Sequence, residues 1–128
     1  MRRDMEYVRL MLIDLSNGKF NRKIPHTDRM PASHEREEYE KYMYHLTLLK
    51  DGGFISYKMD GTFDGNLLYA CPQLTWEGND FLDAIENDTV WNKTKGIAKE
   101  KGLEIAKISF DVVKNLAIQQ SKKMLGIE

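Results

Sequence analysis

The feature that most constrains this chain is a change of period at one point. Up to Asp51 the apolar residues recur at three and four: Tyr39, Tyr42, Met43, Leu46 and Leu49 fall on one helical face. After Gly52-Gly53 the period becomes two. In FISYKM (54–59), Phe54, Ser56 and Lys58 alternate with Ile55, Tyr57 and Met59. A helical pattern cannot run on as a strand, so the diglycine is the junction. A glycine in the left-handed conformation closes a helix without a Cβ clash. LLYAC (67–71) is the return strand, with Asp60-Gly61 and Asp64-Gly65 as turn dipeptides between. A β-hairpin with a longish loop is therefore predicted over 54–71, ended by Pro72.

The remaining elements follow from caps and periodicity. Asp4 is the expected N-cap of a helix over Met5–Ser16, with Gly18 just past its end. Val8, Met11, Leu12 and Leu15 form its apolar face. Leu10 and Ile13 widen that face, which predicts burial on more than one side. Residues 17–32 have turn formers, two prolines and no period, so they read as a loop with one short strand or helical turn. The helix that ends at the diglycine starts near Ser33. Beyond the hairpin, Thr75 is placed to N-cap a helix over 76–86, with Glu77 favouring the dipole in its first turn. Phe81, Leu82 and Ile85 are its expected buried stripe, and Gly78 is read as a point of close approach to a neighbouring element. Trp76 and Trp91, each at a helix start, are read as packing the joints. Asp88 is the expected cap of a helix from Thr89 to Lys101, stopped by Gly102. Ser109 caps a last helix over 110–125, stopped by Gly126.

Helix, loop, helix, glycine stop, hairpin, then Leu74-Thr75 entering a helix is the element order of a winged-helix domain. YHLTLLKDGGFI (44–55) resembles the segment in which many winged helices pass from recognition helix to first wing strand. LTWEG (74–78) resembles their handover from wing to following helix. With RRDMEYVRLMLIDL and LTWEGNDFLDAIENDTVWNK, these segments are similar to a family of small bacterial and prophage proteins known as a domain of unknown function. The layout is also similar to the YjcQ-like winged-helix proteins of prophages. The likeness covers nearly all the chain, least at 17–32 and 103–108, and LTWEGNDFLDAIENDTVW is its most specific part. It implies a winged-helix fold and a prophage setting, and it carries no activity and no catalytic residue.

The expected architecture is thus α+β and mostly α, one winged-helix-like domain over 1–128. Helix 1, a recognition-type helix and a two- or three-stranded wing occupy 1–75, and a helical extension occupies 76–128. A helix-turn-helix needs a scaffold helix before the recognition helix. Either a short turn around Thr27–Met30 serves, or the helix from Ser33 breaks near Glu38.

Charge placement bears on the partner. Formal net charge is only −1, with no overall nucleic-acid signature. Residues 1–29 hold seven basic groups against four acidic, 30–91 hold four against twelve, and 92–128 hold eight against four. Phosphate contacts need Lys or Arg facing the DNA. The recognition-type helix sets Arg36, Lys41 and Lys50 against Glu35, Glu37, Glu38, Glu40 and Asp51. The wing sets Lys58 against Asp60 and Asp64. Both elements have the wrong sign for DNA. The expected function is therefore binding to protein, with Arg36, Tyr39, Lys41, Tyr42 and Lys58 as the candidate partner or nucleic-acid surface. The last helix, through Phe110, Val113, Leu116, Ala117 and Met124, is the candidate self-association face of a homodimer. The alternative is a DNA-binding transcriptional regulator, for which Lys19, Arg22, Lys23 and the C-terminal lysines offer another basic face.

Nothing in the sequence assembles a catalytic, metal or cofactor site. His26, His34 and His45 lack metal-ligand spacing. His45 reads as a packed or capping residue, and Cys71 as a structural thiol. Asp80, Asp83 and Glu86 read as a solvated helix face. One cysteine allows no internal disulfide and fits a reducing compartment. Arg9 and Asp14 interrupt the N-terminal apolar run, which is not read as a signal peptide. With no long apolar span, a cytoplasmic, non-membrane protein is expected.

Overall fold

The computed structural model describes residues 2–19, 23–25, 34–57, 59–61, 67–70 and 72–126. The chain is α+β and mostly helical. Its elements are α1 (Met5–Ser16), β1 (Lys23–Pro25), α2 (His34–Asp51), β2 (Ile55–Ser56), β3 (Met59–Gly61), β4 (Leu67–Ala70) and β5 (Gln73–Leu74). There follow α3 (Trp76–Ile85), α4 (Asp88–Glu100), a 3-10 turn (Ile105–Lys107) and α5 (Phe110–Leu125). The chain divides into two compact units. One lies within Asp14–Gly78, and the other joins Arg2–Ile13 to the chain from Asn79 onward. The first helix groups with the C-terminal helices through hydrogen bonds of Arg3, Glu6 and Arg9.

In the first unit, α2 runs unbroken through Glu38, so the expected break there does not occur. The alternative scaffold turn around Thr27–Met30 lies outside the described residues. Leu46, Leu49 and His45 are buried on α2. The helix ends in a Schellman motif: Gly53 takes φ +82°, its N–H reaches Lys50 O at 3.0 Å, and the Phe54 N–H reaches Leu49 O at 2.9 Å. Leu49 and Phe54, which flank the motif, are both buried.

The hairpin differs from the expected pair of strands. Ile55 pairs with Leu74 and Ser56 with Gln73, while Met59 pairs with Ala70 and Gly61 with Leu68. These two ladders share one register, broken next to Pro72, which has no N–H to donate. The first strand is thus two pieces, and Leu74 closes the second ladder. A third strand, β1, lies antiparallel to β4, with Lys23 opposite Tyr69 and Pro25 opposite Leu67.

The helix stop and the next helix start grip each other. Thr75 N–H donates to Phe54 O at 3.0 Å, and its hydroxyl donates to Gly53 O at 2.5 Å. The same hydroxyl oxygen accepts from Gly78 N–H at 3.1 Å, which makes Thr75 the N-cap of α3. The backbone of Phe54 lies directly against Gly78. A Cβ on Gly78 would overlap the Phe54 carbonyl oxygen and stand 2.9 Å from its carbonyl carbon. The close approach expected of Gly78 is therefore real, and its neighbour is backbone.

In the second unit, Asp4 caps α1 as expected, its carboxylate accepting from Tyr7 N–H at 3.2 Å. Met5, Val8, Met11 and Leu12 are buried, as are Phe81, Leu82, Ala84 and Ile85 of α3. The expected widening of the α1 apolar face fails at Leu10, which is 56% exposed, while Arg9 is buried. The reason is the fork of the guanidinium. Arg9 Nε–H donates to Ile85 O at 2.8 Å and Nη2 to Glu86 O at 2.6 Å, satisfying carbonyls that the end of α3 leaves orphaned. Nη2 also meets Asp88 Oδ1 at 2.6 Å. Arg3 repeats the device: Nη2 donates to Ala106 O at 2.8 Å and also to Ile108 O, and the guanidinium stands 4.6 Å from the Phe110 ring centroid.

Asp88 is not the cap of α4. Asn87 takes that place, accepting from Val90 N–H at 3.0 Å, and Asp88 is the first residue of the helix, its carboxylate facing Arg9. Ser109 caps α5, accepting from Val112 N–H at 3.3 Å, and Phe110 packs edge-on against Phe81 with centroids 5.4 Å apart. Gln120 and Thr94 are buried beside Val113, Ala117 and Ala98 in the unit's interior.

Two predictions follow from these contacts. Gly78→Ala should cost about 3 kcal/mol, because the clash is with backbone that cannot rotate away. Gly96→Ala, in the exposed interior of α4 with no described atom within 4 Å of the added Cβ, should gain about 1 kcal/mol. Urea midpoints that move in the same direction for both would refute this reading. Arg9→Met should cost about 2–4 kcal/mol by leaving two carbonyls unsatisfied. Asp88→Asn should cost less than about 0.5 kcal/mol, since Asp88 is 87% exposed and a surface ion pair adds little. Equal losses would make the ion pair, not the carbonyl capping, the source of stability.

Candidate interaction surface

The residues singled out on α2 are not a free charged face. Arg36 Nε–H donates to Glu40 Oε1 at 3.1 Å, four residues along the helix. Tyr39, Lys41 and Tyr42 are half-buried. Lys58 lies outside the described residues, as do His26 and Cys71. His45 is fully buried, its Nδ1 2.8 Å from Lys41 O and its ring edge-on to Tyr44, which fits the packed residue expected. Lys50 Nζ stands 4.6 Å from the Tyr57 ring centroid, so that cation is also engaged locally.

The expected self-association face of α5 is largely interior. Val113 and Ala117 are fully buried and Phe110 is stacked on Phe81, so these three serve the chain's own core. Leu116 is half-buried, and Met124 is exposed near the helix end. The face inferred from spacing is corrected: periodicity identified a buried seam and could not say that α3 and α4 supply its cover.

The two tryptophans part company. Trp91 is 1% exposed, and its Nε1–H donates to Glu6 Oε1 at 3.0 Å. Glu6 also pairs with Lys95, whose Nζ is 5.6 Å from the Trp91 ring. That residue packs a joint, as expected. Trp76 does not: it is 80% exposed, the most exposed of the large apolar side chains described.

The signal that could have placed Trp76 was in the helical wheel of α3. Gly78, Phe81, Leu82, Ala84 and Ile85 occupy the buried side. At about 3.6 residues per turn, positions 76, 80 and 83 share the opposite side. Asp80 and Asp83 are exposed there, with Glu77 exposed at its edge. Asp80 Oδ2 is 4.0 Å from Lys114 Nζ, whereas Glu77 and Asp83 have no ion pair among the described residues. The acidic trio Asp80, Asp83 and Glu86 is the solvated face expected, with Trp76 at its N-terminal end.

Among the described residues no three His, Cys, Asp or Glu side chains converge in a group fit for a metal ion. No described helix is long and apolar enough to cross a membrane.

Comparison with known proteins places the chain in a family. Residues 2–104 match the profile of the family described as Hypothetical protein (DUF2513), a span that includes Arg3, Arg9, Gly78 and both tryptophans and stops before α5. A protein of Haemophilus influenzae described as "Uncharacterized protein" is 30% identical over 126 residues, which is 98% of this chain and all of that one. No solved structure matches the chain. The chain belongs to the DUF2513 family.

Proposed function

We propose that this chain is a non-enzymatic, prophage-type cytoplasmic protein of winged-helix design that works by binding another protein. The observation that carries the reading is Trp76, 80% exposed at the start of α3. Burying an indole that water now surrounds is favourable by about 2–3 kcal/mol, and tryptophan is the residue type most enriched among energetic hot spots of protein interfaces. An indole this exposed adds little to the stability of the fold, and it is free to be buried against a partner.

The winged-helix reading is supported by the order of α2, the Schellman stop, the one-register hairpin and the entry of Thr75 into α3. Protein is favoured over DNA by the state of the helix that would enter the groove. Its Arg36 is paired with Glu40, its Lys41 is half-buried, and acidic residues outnumber basic ones along it.

Three measurements test this. A photo-crosslinking phenylalanine derivative at position 76, which keeps an aromatic ring there, should give one discrete protein adduct in cells, and the same residue at Lys99 should not. No adduct at 76, or identical adducts at both positions, would sink the proposal. Trp76→Ala should leave stability within about 0.5 kcal/mol, since the side chain is on the surface. Titration with random duplex at low salt should show no salt-sensitive binding. Steeply salt-dependent binding that weakens on changing Arg36 and Lys41 would establish the DNA-binding alternative instead.

A further inference from the structure

We infer that the segment docking on α3 is basic, a stretch of a second protein that carries at least two Arg or Lys residues. This rests on the protein-binding reading above and names the chemistry of its partner.

The surroundings of Trp76 on α3 are acidic. α3 contains Glu77, Asp80 and Asp83 and no Lys or Arg. All three carboxylates are exposed. Asp80 and Asp83 follow Trp76 on the same side of the helix, about 6 Å and about 10 Å along its axis. An aromatic face beside carboxylates suits a cation twice over. The indole attracts an ammonium or guanidinium through its ring quadrupole, more strongly than Phe or Tyr does. The carboxylates then accept charge-assisted hydrogen bonds from a second cation. In an extended partner, side chains two residues apart lie about 7 Å apart, so one cation can cover Trp76 while the next reaches Asp80 and Asp83.

Other occupants fit less well. An acidic peptide, a nucleic acid or an anionic membrane surface would bring negative charge within about 8 Å of three carboxylates, inside the screening length. A wholly apolar partner would bury Glu77 and Asp83 without counter-charge, and desolvating an unpaired carboxylate is strongly unfavourable. The N-terminus of α3 would favour an anion in isolation. Here Glu77 already occupies its first turn, and the Gly78 N–H is taken by Thr75.

The test uses the intact chain and three fluorescein-labelled peptides of equal length, one Arg/Ser, one Glu/Ser and one all Ser. Fluorescence anisotropy should show saturable binding of the Arg peptide only, weakening with salt. Trp76→Ala should reduce that affinity about tenfold, and Glu77→Gln with Asp83→Asn should reduce it several-fold. Circular dichroism of each variant checks that the fold is kept. An Arg peptide that binds no better than the Ser peptide, or equally well to Trp76→Ala, overturns the inference.

The cellular crosslink from position 76 separates this failure from failure of the broader reading. If the adduct persists in the Glu77→Gln, Asp83→Asn double variant, a protein partner stands and the basic segment falls. If position 76 gives no adduct even with Glu77 and Asp83 intact and the Arg peptide does not bind, both fall. Self-association in light scattering that Trp76→Ala abolishes would assign the surface to a second copy and overturn the inference as stated.

Discussion

A single backbone contact, the carbonyl of Phe54 against Gly78, governs how the first unit is put together. It leaves room for a hydrogen and nothing larger. Thr75 makes the contact specific: it holds Gly53 and Phe54 with one set of hydrogen bonds and caps α3 with another. Three consequences follow locally. The end of α2 lies beside the start of α3. The hairpin between them must begin and end at that point, which places Ile55 opposite Leu74. The first turn of α3 is held with Gly78 inward, so Trp76, half a turn away, faces water.

The second unit depends on a different device. Helix termini leave carbonyls without partners, and burying such a group unpaired costs about 1–3 kcal/mol. Arg9 and Arg3 meet that need from the N-terminal segment, at the end of α3 and at the 3-10 turn. Arginine suits the task because its planar fork donates several hydrogen bonds in fixed directions while remaining charged. Each guanidinium also stands by an aromatic ring, Trp91 for Arg9 and Phe110 for Arg3. The exposed Asp88 contributes little by comparison, since water competes for it.

The outward face of α3 results from the same economy. Its apolar side chains are committed to the interior, and Trp91, later in the same stretch, is committed to Glu6. What is left for solvent is one indole and a row of carboxylates. On α2, Arg36 is paired with Glu40 within the helix and Lys50 stands over the Tyr57 ring. The surface with chemistry to spare is thus α3, where sequence reasoning had looked to α2 and α5.

How much of this was legible depends on how far each cause lies along the chain. The change of period at Gly52-Gly53, the caps Asp4, Thr75 and Ser109, and the buried stripe of α3 were all readable, because each cause lies within a few residues of its effect. Gly78 was readable as a close approach, but its neighbour was not, since Phe54 reaches it only through the folded hairpin. Asn87, one residue earlier than expected, caps α4, and the Asp88 carboxylate meets Arg9 from 79 residues away. Trp91 is buried and Glu6, 85 residues distant, accepts its N–H, whereas Trp76 is 80% exposed. The sequence by itself determined the local elements and their order, since backbone dihedrals and short-range hydrogen bonds set them. Only the tertiary structure decided which of two tryptophans is spent on packing and which arginine belongs inside, because burial is settled by the groups that distant segments bring.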